Sequence, residues 1–448
     1  MFIPIVSDRR RADRLTDPFH YSFKRWFLIQ IQRTCVLIGL LTSILPAHGQ
    51  RPIKAPPEFD RDSANKYVHR LHIFTGHDQV DVFDILSYLF TKHKEVRQDT
   101  SKTRVGRLYG SLLPSAEYTL QTGFAGAING NVAFYTSNHE FENISNVLAV
   151  AKYTQKKQFI LPIQANIWTK QNRFNILTDW HFEKFPQNTY GLGGLTTESD
   201  GYMIDYSYIR LYQTLLKTVS RDFYLGFGYD FDWYFNILEL NPPKGTTTDF
   251  EKYGLSPREQ SSGFTLDLLL DERRNAINPV QGNYVNIVYR NNPRFLGSDT
   301  AWQSLNFDMR RYQNFPASSK NILAFWTYDW FTIGGKPPYL NLPATASDTY
   351  NNFGRGYIQG RFRGRNVLYL ESEYRFGISP NGLFGAVVFV NAQSFTEETT
   401  MKFEAILPGW GAGIRIKLNK FSRTNLCLDY GFGLHGSKGI FANLGEVF

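Results

Sequence analysis

The clearest indication of the fold lies between positions 223 and 233, where the sequence is Phe223-Tyr224-Leu225-Gly226-Phe227-Gly228-Tyr229-Asp230-Phe231-Asp232-Trp233. Every odd position carries a large apolar side chain, and every even position except Tyr224 is Gly or Asp. Successive side chains of a β-strand point to opposite faces, so this alternation predicts a strand with one face suited to hydrocarbon and the other to water. We therefore expect Asp230 and Asp232 to face a polar interior.

The same alternation recurs from residue 109 to the end of the chain. Sixteen segments are predicted as strands: 109–120, 123–136, 144–154, 158–169, 173–185, 202–219, 222–239, 261–271, 283–292, 301–315, 321–333, 366–379, 383–395, 409–420, 424–435 and 439–448. A soluble sandwich also alternates, but its polar face points outward. An even number of long strands and 16% aromatic residues favour a 16-stranded antiparallel transmembrane β-barrel over 109–448.

A secretory signal peptide is predicted near the N-terminus. Lys24, Arg25 and Arg33 precede an apolar core at 35–45, and Ala47-His48-Gly49 is a small-x-small cleavage site. Residues 1–49 are therefore interpreted as a signal peptide, and the mature chain is expected to begin near Gln50. The basic region before the apolar core is unusually long, which favours a start codon placed too far upstream.

Export changes what the charge implies. The 448 residues carry a net charge of +9, but 42 basic and 37 acidic residues remain after the signal, a balance of +5. The basic excess is thus partly a targeting feature, and nucleic acid is not expected as a partner. Of the two cysteines only Cys427 remains, so no internal disulfide framework is possible.

Residues 50–108 are interpreted as a short periplasmic segment with one amphipathic helix at 81–94. Its apolar residues lie on one helical face: Val82, Ile85, Leu86, Leu89 and Phe90. Packing against the neighbouring protein and docking of a partner both remain open for this face.

Two short patterns stand out in the middle of the predicted barrel. The first is Asp271-x-Arg273-x-Asn275 followed by Pro279 and Gly282, between two strands. The second is Arg355-Gly356-Tyr357 in the long connection 334–365, and five predicted strands follow it. Connections of this length are usually functional or disordered.

Two further patterns lie near the end of the chain. One combines Gly411-Ala412-Gly413-Ile414-Arg415 with Leu428-Asp429-Tyr430-Gly431, and the other is Asn443-Leu444-Gly445 ending on Phe448. In this order and spacing, the four patterns together resemble the BamA/TamA-type outer-membrane assembly superfamily, also called the bacterial surface antigen family. The resemblance implies an outer-membrane location in a Gram-negative cell.

The resemblance also implies a role for the long connection. In the family this loop folds into the barrel lumen, and its arginine meets acidic or polar groups on the following strands. Glu371 and Glu373 lie on the charged face of the next predicted strand and are candidate partners for Arg355. The family often has an aspartate on the strand after that, where this sequence has Asn391. Arginines at 361, 363 and 365 leave the contacting arginine open, and a solvated basic loop remains the alternative.

The end of the chain carries a further expectation. A terminal aromatic on the last strand suits the bilayer interface, and in the family such a strand is a signal for assembly. Asn443, Leu444, Gly445 and Phe448 are therefore the candidate C-terminal assembly signal. The family usually carries periplasmic POTRA modules, but residues 50–108 hold too little strand pattern for one complete module, which suggests a member lacking them.

The sequence offers no catalytic motif, so no enzyme activity, cofactor or metal is expected. The leading hypothesis is a factor that aids insertion or translocation of proteins or lipids at the outer membrane. Its implied partners are membrane lipid, unfolded outer-membrane clients and periplasmic proteins. Pro114 removes one backbone donor from the first strand, consistent with a weak seam. The alternative is a passive diffusion channel or structural barrel plugged by its long loop.

Overall fold

The described residues form one antiparallel sheet of seventeen strands with very little helix. The computed structural model describes residues 79–82, 84–85, 108–119, 122–138, 143–420 and 423–448, all of them in the unit Arg70–Phe448. The strands are β1 (Tyr109–Thr119), β2 (Gly123–Phe134), β3 (Ser145–Thr154), β4 (Phe159–Trp168), β5 (Phe174–Lys184), β6 (Gln187–Thr189), β7 (Tyr202–Ser220), β8 (Phe223–Leu240), β9 (Arg258–Asp271), β10 (Gly282–Asn292), β11 (Trp302–Asn314), β12 (Ile322–Gly335), β13 (Asn366–Gly377), β14 (Phe384–Phe395), β15 (Leu407–Asn419), β16 (Thr424–Gly433) and β17 (Lys438–Leu444). One short helix, α1 (Asp249–Tyr253), lies between β8 and β9.

Each strand pairs with its neighbour in sequence, and only the short β6 departs from this order. Both β5 and β6 pair with β7, and the remaining ladders run from β1–β2 through to β16–β17. Cα atoms of β1 and β17 come within 8 Å of each other. Among the described residues no ladder joins these two strands, so the sheet curls until its edges approach without closing.

The prediction of sixteen strands is short by one, and β6 accounts for the difference. Strand β7 spans 19 residues while β5 spans 11, so the first residues of β7 extend beyond β5. Residues 187–189 pair with that overhang. Pro186 lies between β5 and β6 and separates them, because proline has no N–H to donate to a ladder. Fifteen predicted strands end within three residues of the observed ones, while the last stops at Leu444, four residues early.

The two faces of the sheet differ as the alternation predicts. On β8, Leu225 and Phe227 are exposed on the outer face, while Asp230 and Asp232 are buried on the inner face. The register of β7 against β8 sets Tyr212 opposite Asp230 and Arg210 opposite Asp232. The inner face thus gathers polar and aromatic side chains, and the outer face presents apolar ones.

Aromatic residues fill much of the interior. One cluster joins β11–β13 to the connection after β12, and it includes Tyr312, Trp326, Tyr328, Phe353, Tyr357, Phe362, Tyr369 and Phe448. A second joins β7 and β8 to α1 through Phe250 and Tyr339. Loop segments therefore supply part of the core, which a sheet of this size cannot fill from its own inner face alone.

Only the start of the predicted helix 81–94 falls among the described residues. Asp81 and Asp84 accept each other's backbone N–H, and positions 82, 84 and 85 are helical. Lys420 donates to both aspartates, and Val80 donates to the carbonyl of Asn381. This segment therefore contacts the turns after β13 and β15.

The predicted signal peptide at 1–49 and most of the segment 50–108 lie outside the described residues. Within the part of the chain that the structure describes, no helix is both long and apolar enough to cross a membrane.

Candidate functional site

The connection between β12 and β13 folds into the interior. We call residues 336–365 the inner loop. Most of its side chains are buried, with Arg355 exposed by 1%, Phe353 by 0% and Tyr357 by 2%. Asp348 orders its middle part, because its carboxylate accepts the N–H groups of Asn352 and Phe353. Burial raises the pKa of Asp348 above its ordinary value, although these backbone donors oppose that effect.

Arg355 is the centre of the site. Its guanidinium donates to Glu371 and Glu373 on β13 through Nη2, and to Asp429 Oδ2 on β16 through Nη1 at 2.5 Å. Burial alone would lower the pKa of Arg355, but the three carboxylates raise it well above its ordinary value. A planar guanidinium can meet several acceptors at once, so one side chain bridges two separate strands.

Two more arginines extend the network. Arg375 donates to Glu373 Oε2 at 2.7 Å, and Arg415 donates to Asp429 Oδ1 at 2.5 Å. Arg415 also meets Glu446 at 2.8 Å. Glu373 and Asp429 are thus each shared between two arginines, whereas the second oxygen of Glu371 accepts from the Tyr369 hydroxyl. Such pairing is how buried charge is tolerated without solvent.

Small residues make room for the tip of the loop. Gly356 has φ +109°, and a Cβ there would lie 2.4 Å from the backbone oxygen of Phe432. Gly409 lies equally close to the carbonyl of Arg355, since a Cβ there would be 2.5 Å away from that oxygen. The tip of the loop therefore packs directly against glycines of β15 and β16, because a side chain at those positions would occupy the space that the loop backbone fills.

Tyr357 and Asn391 fix the backbone around Arg355. The Tyr357 hydroxyl donates to Pro408 O at 2.7 Å and accepts from the N–H of Leu434 at 2.9 Å. Asn391 donates to the carbonyl of Arg355 at 2.9 Å, so it holds the backbone and not the charge. The Arg355 guanidinium also stacks over the ring of Phe389, 3.8 Å from its centre.

The arginines at 361, 363 and 365 bind other partners, near the end of the inner loop. Arg361 donates to Thr196, and Arg363 donates to carbonyls including those of Tyr339 and Leu342. Arg365 pairs with Glu398. Among the arginines at 355, 361, 363 and 365, the structure thus brings only Arg355 to Glu371 and Glu373.

The residues of the hairpin pattern between β9 and β10 form a tight turn. Arg273 binds Asp271 through two hydrogen bonds of 2.8 and 2.9 Å, and its guanidinium lies over the Tyr284 ring. Asn275 accepts two backbone N–H groups, and Pro279 is buried. Gly282 has φ +112°, where a Cβ would meet the backbone of Glu272 at 2.7 Å. These residues shape the turn and lie apart from the Arg355 network.

The C-terminal pattern departs from the expectation. Strand β17 ends at Leu444, Gly445 takes φ +91°, and residues 445–448 turn into the interior. Phe448 is 2% exposed and packs on Trp326, with ring centres 5.1 Å apart. The expected position of this ring at the bilayer interface is therefore wrong. A left-handed glycine ends the strand, and the buried Arg415 on β15 provides a partner for Glu446. Asn443 pairs with Cys427 across the β16–β17 ladder, so it remains within the sheet.

Sequence reasoning missed two features of the interior. Asp429 was noted only as part of a glycine-rich pattern, and its contact with Arg355 spans 74 residues. A second polar cluster lies on β5, β7, β8 and β10, where Asp232 accepts from Tyr208, Tyr212 and Arg290 at 2.6, 2.7 and 2.8 Å. Alternation assigned Asp232 to the interior but could not identify its partners. Among the described residues no group of side chains has the geometry of a metal site.

No protein-family model and no curated protein matches the chain. Among solved structures, it is similar to BamA of Haemophilus ducreyi lacking POTRA domains 1–3, with 13% identity, TM-score 0.49, and coverage of 75% of this chain and 70% of that one. For CdiB of Acinetobacter baumannii the identity is 13%, the TM-score 0.48 and the coverage 76% and 60%. For Wzi of Escherichia coli, described as a carbohydrate-binding outer-membrane β-barrel, the identity is 9%, the TM-score 0.31, and the coverage 76% of this chain and 83% of that one. These three TM-scores are below 0.5, and the three sequence identities are below 25%.

Proposed function

We propose that this chain is an exported outer-membrane β-barrel that spans the bilayer with its long strands. The outer face supports this proposal, because large apolar side chains are exposed on it. Phe124 is 69% exposed, Phe227 60% and Val390 60%. A soluble protein rarely leaves so many apolar side chains in water, whereas hydrocarbon suits them. Recovery of the protein in outer-membrane fractions, with a mature N-terminus near Gln50, is the expected result of fractionation and N-terminal sequencing.

Within that setting, we propose that the barrel aids insertion or translocation of proteins or lipids rather than catalysing a reaction. The observation that carries this proposal is the seam between β1 and β17. The two strands approach within 8 Å, yet no ladder joins them among the described residues, and β17 has only seven residues. Unpaired backbone groups at a sheet edge can accept an incoming strand by β-augmentation. Unfolded outer-membrane clients and membrane lipid are therefore the proposed partners, and nucleic acid is not.

A disulfide across the seam tests this role. In a Cys427→Ser background, cysteine pairs that scan 110, 112 and 114 against 440 and 442 would lock β1 to β17. Insertion of a denatured client barrel into phosphatidylcholine–phosphatidylglycerol vesicles should fall when the disulfide forms and recover on reduction. The control pair is Val132→Cys with Val147→Cys, because these residues already face each other across the β2–β3 ladder. Full insertion with a locked seam would contradict the proposal.

The filled interior favours the second candidate, a plugged channel or purely structural barrel. The inner loop buries Arg355 and Phe353 between the strands, which blocks much of the interior. Depletion separates the two functions in cells. Loss of an assembly factor should lower the abundance of other outer-membrane barrels, whereas loss of a channel should alter only solute entry.

A further inference from the structure

Residues 445–448 leave the sheet and bind inside it. Gly445 donates to the carbonyl of Asn425, and Glu446 donates to the carbonyl of Ile277 in the turn after β9. Both hydrogen bonds are formed after β17 has ended. The first bond continues the β16–β17 register by one pair, since Leu444 lies opposite Leu426, and the second binds the segment to a distant turn. The chain therefore leaves the ladder after Gly445.

The side chains of the segment occupy a site built for them. Glu446 accepts from Arg415 at 2.8 Å and from Asn425 at 2.7 Å. The Phe448 ring lies against Trp326, and the guanidinium of Arg375 lies 5.1 Å from its centre. An acidic group and an aromatic ring are therefore each held by a matching partner, a guanidinium for the one and an indole for the other.

The same site touches the inner loop directly. Asn352 of the loop donates to the carbonyl of Val447 at 2.7 Å, and both residues are buried. This hydrogen bond joins the loop to the residues that follow the last strand. Neither partner belongs to a strand, so the contact is made only while both segments are inside.

Two chains of ion pairs make the connection stronger. One runs from Glu446 through Arg415 and Asp429 to Arg355, with distances of 2.8, 2.5 and 2.5 Å. The other runs through Arg375 and Glu373 to Arg355, and Arg375 also donates to the Phe448 carbonyl at 3.0 Å. Removing either segment would leave buried charges of the other short of partners.

From these contacts we propose that residues 445–448 are a latch that couples the inner loop to the last strand. While the loop is inside, the latch holds the end of β17 inward; when either part leaves, the other loses its partners and is released. Such coupling is reciprocal, because it is one free energy shared by two sites. The proposal rests on the proposed function in one respect, because it assigns control of the seam between β1 and β17 to the inner loop.

Hydrogen exchange on the purified full chain in detergent micelles tests the latch in both directions. Arg355→Ala should raise exchange in residues 438–448, far from the substitution in sequence. Phe448→Ala should raise exchange in residues 348–357. Asn352→Ala removes only the direct contact and leaves all strand residues intact, so it remains informative if Phe448→Ala fails to fold. For a cooperative opening unit we expect increases of at least about tenfold.

Tyr350→Ala is the matched control, because Tyr350 lies in the same loop and its side chain is 60% exposed. It should leave exchange in 438–448 unchanged. If Arg355→Ala frees the loop while 438–448 stays protected, or if Asn352→Ala changes neither region, the latch is wrong. Hydrogen exchange is measured without a client, so it is independent of the insertion assay. If the seam disulfide abolishes insertion but the exchange results contradict the latch, the proposed function stands and the latch does not. If exchange rises in both regions but insertion is unimpaired when β1 and β17 are cross-linked, the latch stands and the proposed function does not.

Discussion

Arg355 of the inner loop and Asp429 of β16 form a buried ion pair with a separation of 2.5 Å, and each side chain is only 1% exposed. The pair links a segment before β13 to the penultimate strand, and Arg415 holds the other oxygen of Asp429. Asp429 is therefore a shared acceptor between the loop and the sheet. This arrangement gives the loop a defined inner position.

Arg355→Ala should release the inner loop. The substitution leaves Glu371, Glu373 and Asp429 buried with one fewer cation, and breaking a buried pair in this way costs about 3–5 kcal/mol, toward the low end if water enters. Proteolysis of the loop and a lower heat-shift temperature on semi-native gels are the expected results. Arg365→Ala is the control, because Arg365 pairs with Glu398 away from this network. Equal protease sensitivity of the two variants would show that Arg355 does not hold the loop.

Gly356→Ala should displace the loop tip without changing any charge. The residue has φ +109°, and the new Cβ would lie 2.4 Å from a backbone oxygen that cannot easily move. Left-handed strain alone costs about 1–3 kcal/mol, and the overlap adds to it. Gly126→Ala is the matched control, since a Cβ there meets nothing within 4 Å. A heat-shift temperature for Gly356→Ala equal to that of the control would argue against the tight fit.

Glu446→Gln should destabilise the protein in a pH-dependent way. Burial raises the pKa of Glu446, but Arg415 and Arg375 outweigh this effect and hold the pKa below its ordinary value. A carboxyl with a lowered pKa stabilises the fold above its unfolded pKa of about 4.3, and this contribution is lost as the pH falls through the folded pKa. The difference in heat-shift temperature between wild type and Glu446→Gln should thus be largest near neutral pH and shrink below about pH 4. The exposed Glu404, changed to Gln, is the control; a constant difference across pH would contradict the role of charge.

Asp329→Asn should be tolerated. Asp329 lies on the outer face of β12, opposite Phe307, and accepts hydrogen bonds from Thr327 and from the N–H of Tyr369 at 3.2 Å. None of the ion pairs among the described residues includes it. The proposed membrane span would place this face against lipid, and an amide oxygen can accept the same bonds without a charge there. Stability should therefore be unchanged or higher by about 1–2 kcal/mol. The same change at Asp232 on the inner face should destabilise, because it removes the charge that pairs with Arg290. The heat-shift temperature should therefore be unchanged or higher for Asp329→Asn and lower for Asp232→Asn. A lower temperature for both variants would contradict the assignment of faces.

Local sequence pattern was enough to locate most of the strands and to assign their two faces. A strand reports its two faces in the alternation of neighbouring residues, so Leu225 and Asp232 could be assigned to opposite sides from local pattern alone. Glu371 and Glu373 were found in the same way, as charged residues on one face of a strand next to the loop.

The contacts between residues inside the sheet follow from how the strands and the inner loop fold together. Asp429 reaches Arg355 because β16 and β13 both present their inner faces to the same loop, and no spacing in the sequence records that approach. The inward turn of residues 445–448 depends on Arg415, Arg375 and Trp326, which lie on three different strands. Such contacts are fixed by the curvature of the whole sheet and by the pairing of the charges buried around the inner loop. Both are properties of the assembled interior rather than of any local pattern.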